Sequence, residues 1–268
     1  MKKKKNKGKM AIIIITTLLT IALIVLFLCL ISKLLSGTKE YEIESRSEKI
    51  TAYQKQKPEY DVDGWLRVQG TNIDYPVIFD NATTNINDIV DDFVWEREKS
   101  EELLNRTVIL GHNIRNVSRN PIITDSTHTR FEQLMSFIYY DFAKENQYIQ
   151  YTKNGKDYLY QIFSISFVQD DELIQTGYLS ETEMQEYIEQ SLKDSYFKYD
   201  VDIDKNDKII TLITCTRFFG STTSYRFKID GKLLADDEQA RLSKVTIKDN
   251  YQEIENIMKG GELNEKQA

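Results

Sequence analysis

The stretch Lys208–Thr216, which reads K-I-I-T-L-I-T-C-T, decides how this chain is interpreted. Its β-branched and aliphatic residues predict a buried strand, and Cys215 lies at the end of that strand. The other cysteine, Cys29, lies in an apolar N-terminal segment. A single thiol in an extracellular domain has no partner for an intramolecular disulfide, so it pairs with another molecule or takes part in chemistry. The alternative is a small, inert, buried side chain.

The N-terminus carries a second clear signal. Six lysines and no acidic residue occupy residues 1–9, and an uncharged segment then extends from Met10 to Ser32. This segment is long enough to cross a bilayer as a helix, and it lacks the small-residue cleavage site of a signal peptide. We therefore predict a transmembrane signal anchor over residues 10–32 and a cytoplasmic basic tail over residues 1–9. The positive-inside rule then places everything after Lys33 outside the cell membrane, which the chain crosses once.

The remainder of the chain is acidic. Residues 1–33 hold seven of the 35 basic residues and none of the 42 acidic ones, which leaves 28 basic residues against 42 acidic ones. This balance argues against nucleic acid as a partner, because phosphate binding needs a basic face. The length suits one domain with a hydrophobic core. We assign residues 33–58 to a helical stalk, 59–235 to a catalytic domain and 236–268 to a polar tail that is partly helical or disordered.

Short β-rich segments separated by turn signals fill the central region. Strands are expected in Gly64–Phe79, Asn105–Leu110, Tyr148–Thr152, Tyr158–Val168, Lys208–Thr214 and Ser224–Ile229. Helices are expected at Arg130–Tyr140, from the capping box at Ser180 to about Ser195, and over Val245–Met258. Seven to eight short strands with few helices predict a mostly β fold, because a closed barrel leaves no strand edges exposed. One helix is expected in the long connection before the cysteine strand.

A reactive cysteine needs a base or a cation close by, because the thiolate is the nucleophile. The chain contains two histidines. His112 follows the strand that ends at Leu110, where a rigid element would hold it, although a structural histidine bonded to the backbone is the alternative. His128 lies in a run of small polar residues, which predicts an exposed surface loop.

Two arginines are candidates for the cation. Arg217 follows Cys215 by two residues in a predicted loop. Arg226 lies in an alternating strand, where it shares one face with Lys228. A guanidinium has fixed donors and stays charged, which suits a developing oxyanion. By spacing alone, an ordinary exposed arginine is the alternative reading of Arg226.

These residues together resemble the active-site signature of the sortases, membrane-anchored cysteine transpeptidases of Gram-positive bacteria. Thr211-Leu-Ile-Thr-Cys215 is similar to the family's T-L-x-T-C motif, with Ile213 at the variable position. Gly111-His112 follows a strand as the family's histidine does, and Arg226 lies on the strand after the cysteine strand. The segment Gly64–Ile78 is similar to the opening of class B members. The resemblance covers roughly residues 53–234 and implies that Cys215, His112 and Arg226 are catalytic.

The sequence departs from the class B pattern in three places. Thr216–Phe219 stands where the class has an acidic residue after the cysteine. Residues 88–104 are charged and lack the glycine-led strand that often follows there. The chain after Leu234 is longer than the family needs. These differences bear on the subclass and on the sorting motif.

The resemblance also implies a mechanism. Cys215 attacks a threonine–glycine-type bond in the C-terminal sorting signal of a secreted protein, and Arg226 stabilises the oxyanion with a backbone N–H. His112 protonates the leaving amine, and a cell-wall amine then takes the acyl group. No metal or organic cofactor is expected. The acidic run Asp200–Asp204 lacks the compact ligand spacing of a calcium site.

Three other functions are compatible with the sequence. A sortase that polymerises pilins would use a protein lysine as its nucleophile. An extracellular cysteine hydrolase would release its peptides to water. A non-catalytic, membrane-tethered interaction module would carry Cys215 as an incidental thiol.

Overall fold

The computed structural model describes residues 14–27, 41–79, 93–123, 125–169, 178–221, 224–236, 238 and 240–265. The chain divides into two compact units, Met1–Glu40 and Tyr41–Ala268. In the first unit, residues 14–27 form a helix, α1. Within the described residues, no helix has both the length and the apolar character needed to cross a membrane. The other parts of the predicted anchor, and residues 33–40 of the predicted stalk, lie outside the described residues.

The second unit contains ten strands and several helices in its described part. The strands are β1 Val62–Val68, β2 Asp74–Phe79, β3 Val94–Glu96, β4 Arg106–Gly111, β5 Tyr148–Lys153, β6 Lys156–Gln169, β7 Phe197–Tyr199, β8 Ile209–Cys215, β9 Tyr225–Leu233 and β10 Val245–Ile247. The helices are α2 Ser47–Gln56, a 3-10 helix Glu132–Ile138, α3 Tyr140–Glu145, α4 Glu181–Asp194 and α5 Tyr251–Glu265.

Eight of the strands close into a barrel in the order β1-β2-β3-β4-β8-β9-β6-β5. Two neighbouring pairs, β2–β3 and β4–β8, are parallel, and the other pairs are antiparallel. The remaining strands, β7 and β10, form a separate two-stranded sheet. The predicted mostly β fold, a closed barrel of seven to eight strands with a helix before the cysteine strand, is therefore confirmed.

The alternation of side chains along β8 separates the core from the opposite face of the sheet. Ile210 and Leu212 are fully buried in the main core, together with Phe227 and Ile229 of β9. Because side chains alternate along a strand, Thr211 and Cys215 belong to the other face.

Helix α4 covers part of that other face and buries an ion pair beneath it. The Nζ of Lys228 lies 2.8 Å from Oδ2 of Asp230, and both residues are buried. The Thr211 hydroxyl donates to Asp230 Oδ1 at 2.8 Å, and the Tyr187 hydroxyl of α4 donates to the same oxygen. Burial alone would raise the pKa of Asp230, but the charge of Lys228 and these hydrogen bonds lower it below its usual range. The pair therefore ties β8, β9 and α4 together.

A second charged cluster is formed by side chains of β1, β3 and β5. Lys153 forms an ion pair with Asp63, and its Nζ also lies 3.1 Å from Oε1 of Glu96. The Tyr151 hydroxyl donates to Asp63 at 3.1 Å. Burial and the neighbouring Asp63 carboxylate raise the pKa of Glu96 to about 9. Burial also acts to raise the pKa of Asp63, but its hydrogen bonds with Glu96 and Lys153 hold it low. One proton is therefore held on Glu96 at neutral pH.

This proton makes stability depend on pH. The pKa of Glu96 is raised on folding, so its stabilising contribution is complete below pH 4.5 and is lost as pH rises towards about 9. Glu96→Gln cannot ionise and should lack this dependence. We expect the difference in unfolding free energy between wild type and variant to change by up to about 1.4 kcal/mol per pH unit between pH 4.5 and about 9. Urea unfolding from pH 6 to 9 measures this; parallel curves would contradict it.

Three segments differ from the prediction. Val245–Met258 is not one helix, because its first residues pair with β7 and α5 begins at Tyr251. Tyr251 then anchors α5 by donating to the Ile138 carbonyl at 2.9 Å. Arg130 has a left-handed backbone with φ of 53°, and the chain continues as a 3-10 helix instead of the predicted α-helix. Residues 88–104, for which no strand was predicted, contain β3.

Candidate active site

Parallel pairing between β4 and β8 brings His112 and Cys215 together. The register pairs Gly111 with Thr214, and the Thr214 hydroxyl donates to the Gly111 carbonyl at 2.7 Å. His112 and Cys215 are the next residues along the two chains. Two parallel strands that end at the same level therefore hold these side chains at one edge of the barrel.

Strand β9 supplies the arginine on the other side of the cysteine strand. The antiparallel register of β8 and β9 places Arg226 directly opposite Cys215. Directly opposed residues on neighbouring strands project to the same side of a sheet. Cys215 and Arg226 are both half-buried, so each is in contact with the protein and accessible to a substrate.

His112, Cys215 and Arg226 line one cavity of about 190 Å³. The structure therefore brings together all three residues that the sequence analysis selected. The remainder of the lining is Trp95, Arg97, Leu110, Gly111, Ile213 and Thr214. The other two candidates do not line this cavity. Arg217 is exposed. His128 is 3% exposed, so the prediction of an exposed histidine was wrong.

Trp95 creates an apolar environment for His112. The two rings lie 4.6 Å apart between centroids, with their planes tilted by 42°. Burial lowers the pKa of His112 below its ordinary value of 6.5, and the positive charge of Arg130 lowers it further. Among the described residues, no hydrogen-bond partner meets the buried His112 Nε2. The imidazole is therefore neutral near pH 7, and a neutral imidazole can accept a proton.

The loop after β4 is held by contacts with Phe131 and with the end of the cysteine strand. The Phe131 amide donates to the His112 carbonyl at 3.1 Å. A Cβ at Gly111 would lie 2.4 Å from the Phe131 ring, so only glycine fits there. Asn113 donates through Nδ2 to the Cys215 carbonyl at 3.1 Å. These contacts connect the histidine loop to the end of the cysteine strand, which limits movement between the two side chains.

Sequence reasoning missed two residues of the cavity, Trp95 and Arg97. Their spacing of two residues is the only local signal that they share a face. No local sequence pattern indicates that β3 pairs with β4, because residues 88–104 are rich in charged side chains and do not show the alternation of a strand. Among the residues that the structure describes, no group of three or more His, Cys, Asp or Glu side chains is arranged to hold a metal ion.

Comparison with known proteins gives one consistent result. Residues 66–234 match the family model of the Sortase domain. Sortase B of Staphylococcus aureus is 24% identical over 167 residues, covering 61% of this chain and 66% of that protein. Sortase B of Listeria monocytogenes is 26% identical over 173 residues, covering 60% and 65%. The aligned region thus spans just under two thirds of each relative. The crystal structure of Clostridium perfringens sortase B superimposes with a TM-score of 0.57 at 25% identity, covering 69% of this chain and 99% of that one.

Proposed function

We propose, since this chain belongs to the sortase family, that it is a class B-like cysteine transpeptidase with Cys215, His112 and Arg226 as its catalytic residues. It would cleave a C-terminal sorting signal of secreted proteins and join the acyl product to a cell-wall amine. The observation that carries the proposal is the placement of these three side chains around one cavity. A thiol beside a neutral imidazole and a guanidinium supplies a nucleophile, a base and an oxyanion donor.

The chemistry proceeds in two halves. In the first, His112 takes the proton of the Cys215 thiol as sulfur attacks the peptide carbonyl. The tetrahedral oxyanion receives hydrogen bonds from Arg226 and from a backbone N–H, for which the amide of Thr216 is the candidate. His112 then gives its proton to the leaving amine, and a thioester remains on Cys215. In the second half, the incoming amine loses a proton to His112, attacks the thioester and releases the Cys215 thiol.

The test uses the full chain purified in detergent micelles, a library of sorting-signal peptides and triglycine as the amine. Mass spectrometry detects the acyl-enzyme and separates the peptide–amine conjugate from the hydrolysed peptide. Conjugate formation is the expected result. Hydrolysed peptide alone would identify a hydrolase instead, and the absence of any acyl-enzyme would reject the proposed function. Replacing triglycine by a lysine-bearing pilin domain distinguishes a pilin polymerase from a wall-anchoring enzyme.

The state of His112 predicts the pH profile. Acylation requires neutral imidazole, so the rate should fall as pH decreases through the pKa of His112. Because burial lowers that pKa, the acid limb of kcat/KM should have its midpoint below 6.5. Trp95→Ala admits water and should move this midpoint upward, towards 6.5. Acylation rates between pH 4.5 and 8 test both statements. A midpoint above 6.5 in the wild type, or one that Trp95→Ala leaves in place, would contradict them.

We also propose that residues 10–32 anchor the protein in the cell membrane, with residues 59–235 outside. The support is the uncharged length of the segment and the lysines that precede it. Protease added to intact cells should then digest the domain while an epitope placed before residue 10 stays protected. Digestion of the epitope but not of the domain would reverse the topology.

A further inference from the structure

Arg97 is a second guanidinium in the cavity that contains Cys215. It lies directly after β3, it is half-buried, and it lines the cavity together with Arg226. Its Nε is buried and has no hydrogen-bond partner among the described residues. Arg97 forms no ion pair within the same part of the chain, whereas Arg46 and Arg115 are paired with Asp74 and Glu132. A partly buried guanidinium that has no partner within the described part of the chain offers its donors and its charge to a ligand.

The permanently charged side chains that line the described part of the cavity are all positive. Two guanidinium groups line it, and no carboxylate is among its described lining residues. This is unusual in a domain where acidic residues outnumber basic ones by 42 to 28 after residue 33. Arg130 adds a third positive charge close enough to lower the pKa of His112. A carboxylate on a substrate would meet an electrostatically complementary surface here.

The strand order separates the positions of the two arginines. From Arg97 to Arg226 the cavity crosses β3, β4, β8 and β9, so the strands of His112 and Cys215 lie between them. Trp95 pairs with Leu110, and continuing this antiparallel register puts Arg97 at the level of Val108. His112 is four residues further along β4, which is about 13 Å at the rise of a strand. An arginine side chain spans part of this distance, so a carboxylate on the Arg97 guanidinium would lie about two to three extended residues from the reacting carbonyl.

We propose that Arg97 binds a carboxylate carried by a substrate of this transpeptidase and thereby selects acidic substrates. Arg226 acts on the oxyanion, whereas Arg97 acts on an anion that is present before and after the reaction. The planar fork of a guanidinium matches the two oxygens of a carboxylate. The carboxylate can belong to an acidic residue of the sorting peptide or to the incoming amine. This inference rests on the proposed function, because it assigns substrate chemistry to the same cavity.

The test compares substrates in matched pairs with the full chain in micelles. The first arm uses sorting peptides that differ only by Glu or Gln at each of the three positions before the scissile bond, and it measures acyl-enzyme formation. The second arm uses triglycine against triglycinamide, whose carboxylate or amide lies on the third residue from the amine, and it measures conjugate relative to hydrolysed peptide. The readout is the preference ratio within a pair. The difference in intrinsic reactivity between the two substrates cancels when this ratio is compared between variants. A folding defect lowers the rates with both substrates equally and leaves the ratio unchanged.

Arg97→Gln should lower the preference for the carboxylate member roughly 10- to 100-fold, the range expected for a charged hydrogen bond. Arg97→Lys keeps the positive charge but loses the forked pair of donors, so its preference ratio should lie between those of the wild type and Arg97→Gln. Arg217→Gln removes an exposed guanidinium outside the cavity and should match the wild type. A change in the first arm assigns the carboxylate to the sorting peptide, and one in the second arm assigns it to the amine.

Two results would overturn the inference, and they are distinguishable. If acyl-enzyme forms but Arg97→Gln leaves every ratio unchanged in both arms, Arg97 does not recognise a carboxylate and the proposed function stands. If the wild type forms no acyl-enzyme with any peptide, the proposed function and this inference fail together.

Discussion

Replacing Cys215 by alanine should abolish both conjugate and acyl-enzyme. The variant has no atom that can form the thioester, so the rate should fall at least about 10⁴-fold. Stability should change by less than about 1 kcal/mol, because Cys215 is only half-buried. Mass spectrometry of peptide and amine products gives the activity, and thermal unfolding confirms the fold.

The second cysteine provides the matched control for this variant. Cys29→Ala removes the other thiol of the chain and should leave conjugate formation at the wild-type rate. Conjugate formation that continues in Cys215→Ala would show that the reaction does not pass through a thioester on Cys215. Loss of activity in Cys29→Ala alone would point instead to a thiol outside the cavity.

Replacing Lys228 by methionine should produce the largest loss of stability. The substitution keeps much of the apolar stem but leaves the Asp230 carboxylate, which is 0% exposed, without its cation. Breaking a buried pair in this way costs about 3–5 kcal/mol. Asp230 also accepts a hydrogen bond from Thr211 of the cysteine strand, and Lys228 lies on the same strand as Arg226. Loss of the pair should therefore disturb the two strands that carry Cys215 and Arg226, and activity should fall as well. Urea unfolding at pH 7 measures the loss of stability.

Two further variants show whether the buried charge is the cause. Lys228→Met combined with Asp230→Asn removes the uncompensated carboxylate and should recover part of the lost stability. Lys259→Met breaks an exposed pair with Glu255 on α5 and should cost no more than about 0.5 kcal/mol. A Lys228→Met variant as stable as Lys259→Met would contradict the assignment of a buried, structurally important pair.

Local sequence patterns predicted much of the site. The alternation in Thr211–Cys215 predicts a strand that ends at the thiol, and the glycine before His112 marks the end of another. The same two-residue period placed Arg226 and Lys228 on one face. These inferences succeed because strand periodicity is a property of a few consecutive residues.

Other features depended on contacts between distant segments. Lys228 shares its face with Arg226, yet α4 buries it, and no local signal indicates which helix covers a strand. His128 is also buried, although its segment has the composition of an exposed loop; its carbonyl accepts a hydrogen bond from the side chain of Asn72, which lies far away in the sequence.

The sequence by itself predicted a closed barrel of short strands and singled out Cys215, because both follow from local periodicity and residue chemistry; His112 and Arg226 were selected as its partners through the resemblance to the sortases. Only the tertiary structure decided that β3 pairs with β4, which brings Trp95 and Arg97 into the cavity of Cys215. The pairing of two strands depends on the free energy of closing the whole barrel. A short charged segment such as residues 88–104 contains no local sequence pattern that indicates its pairing partner.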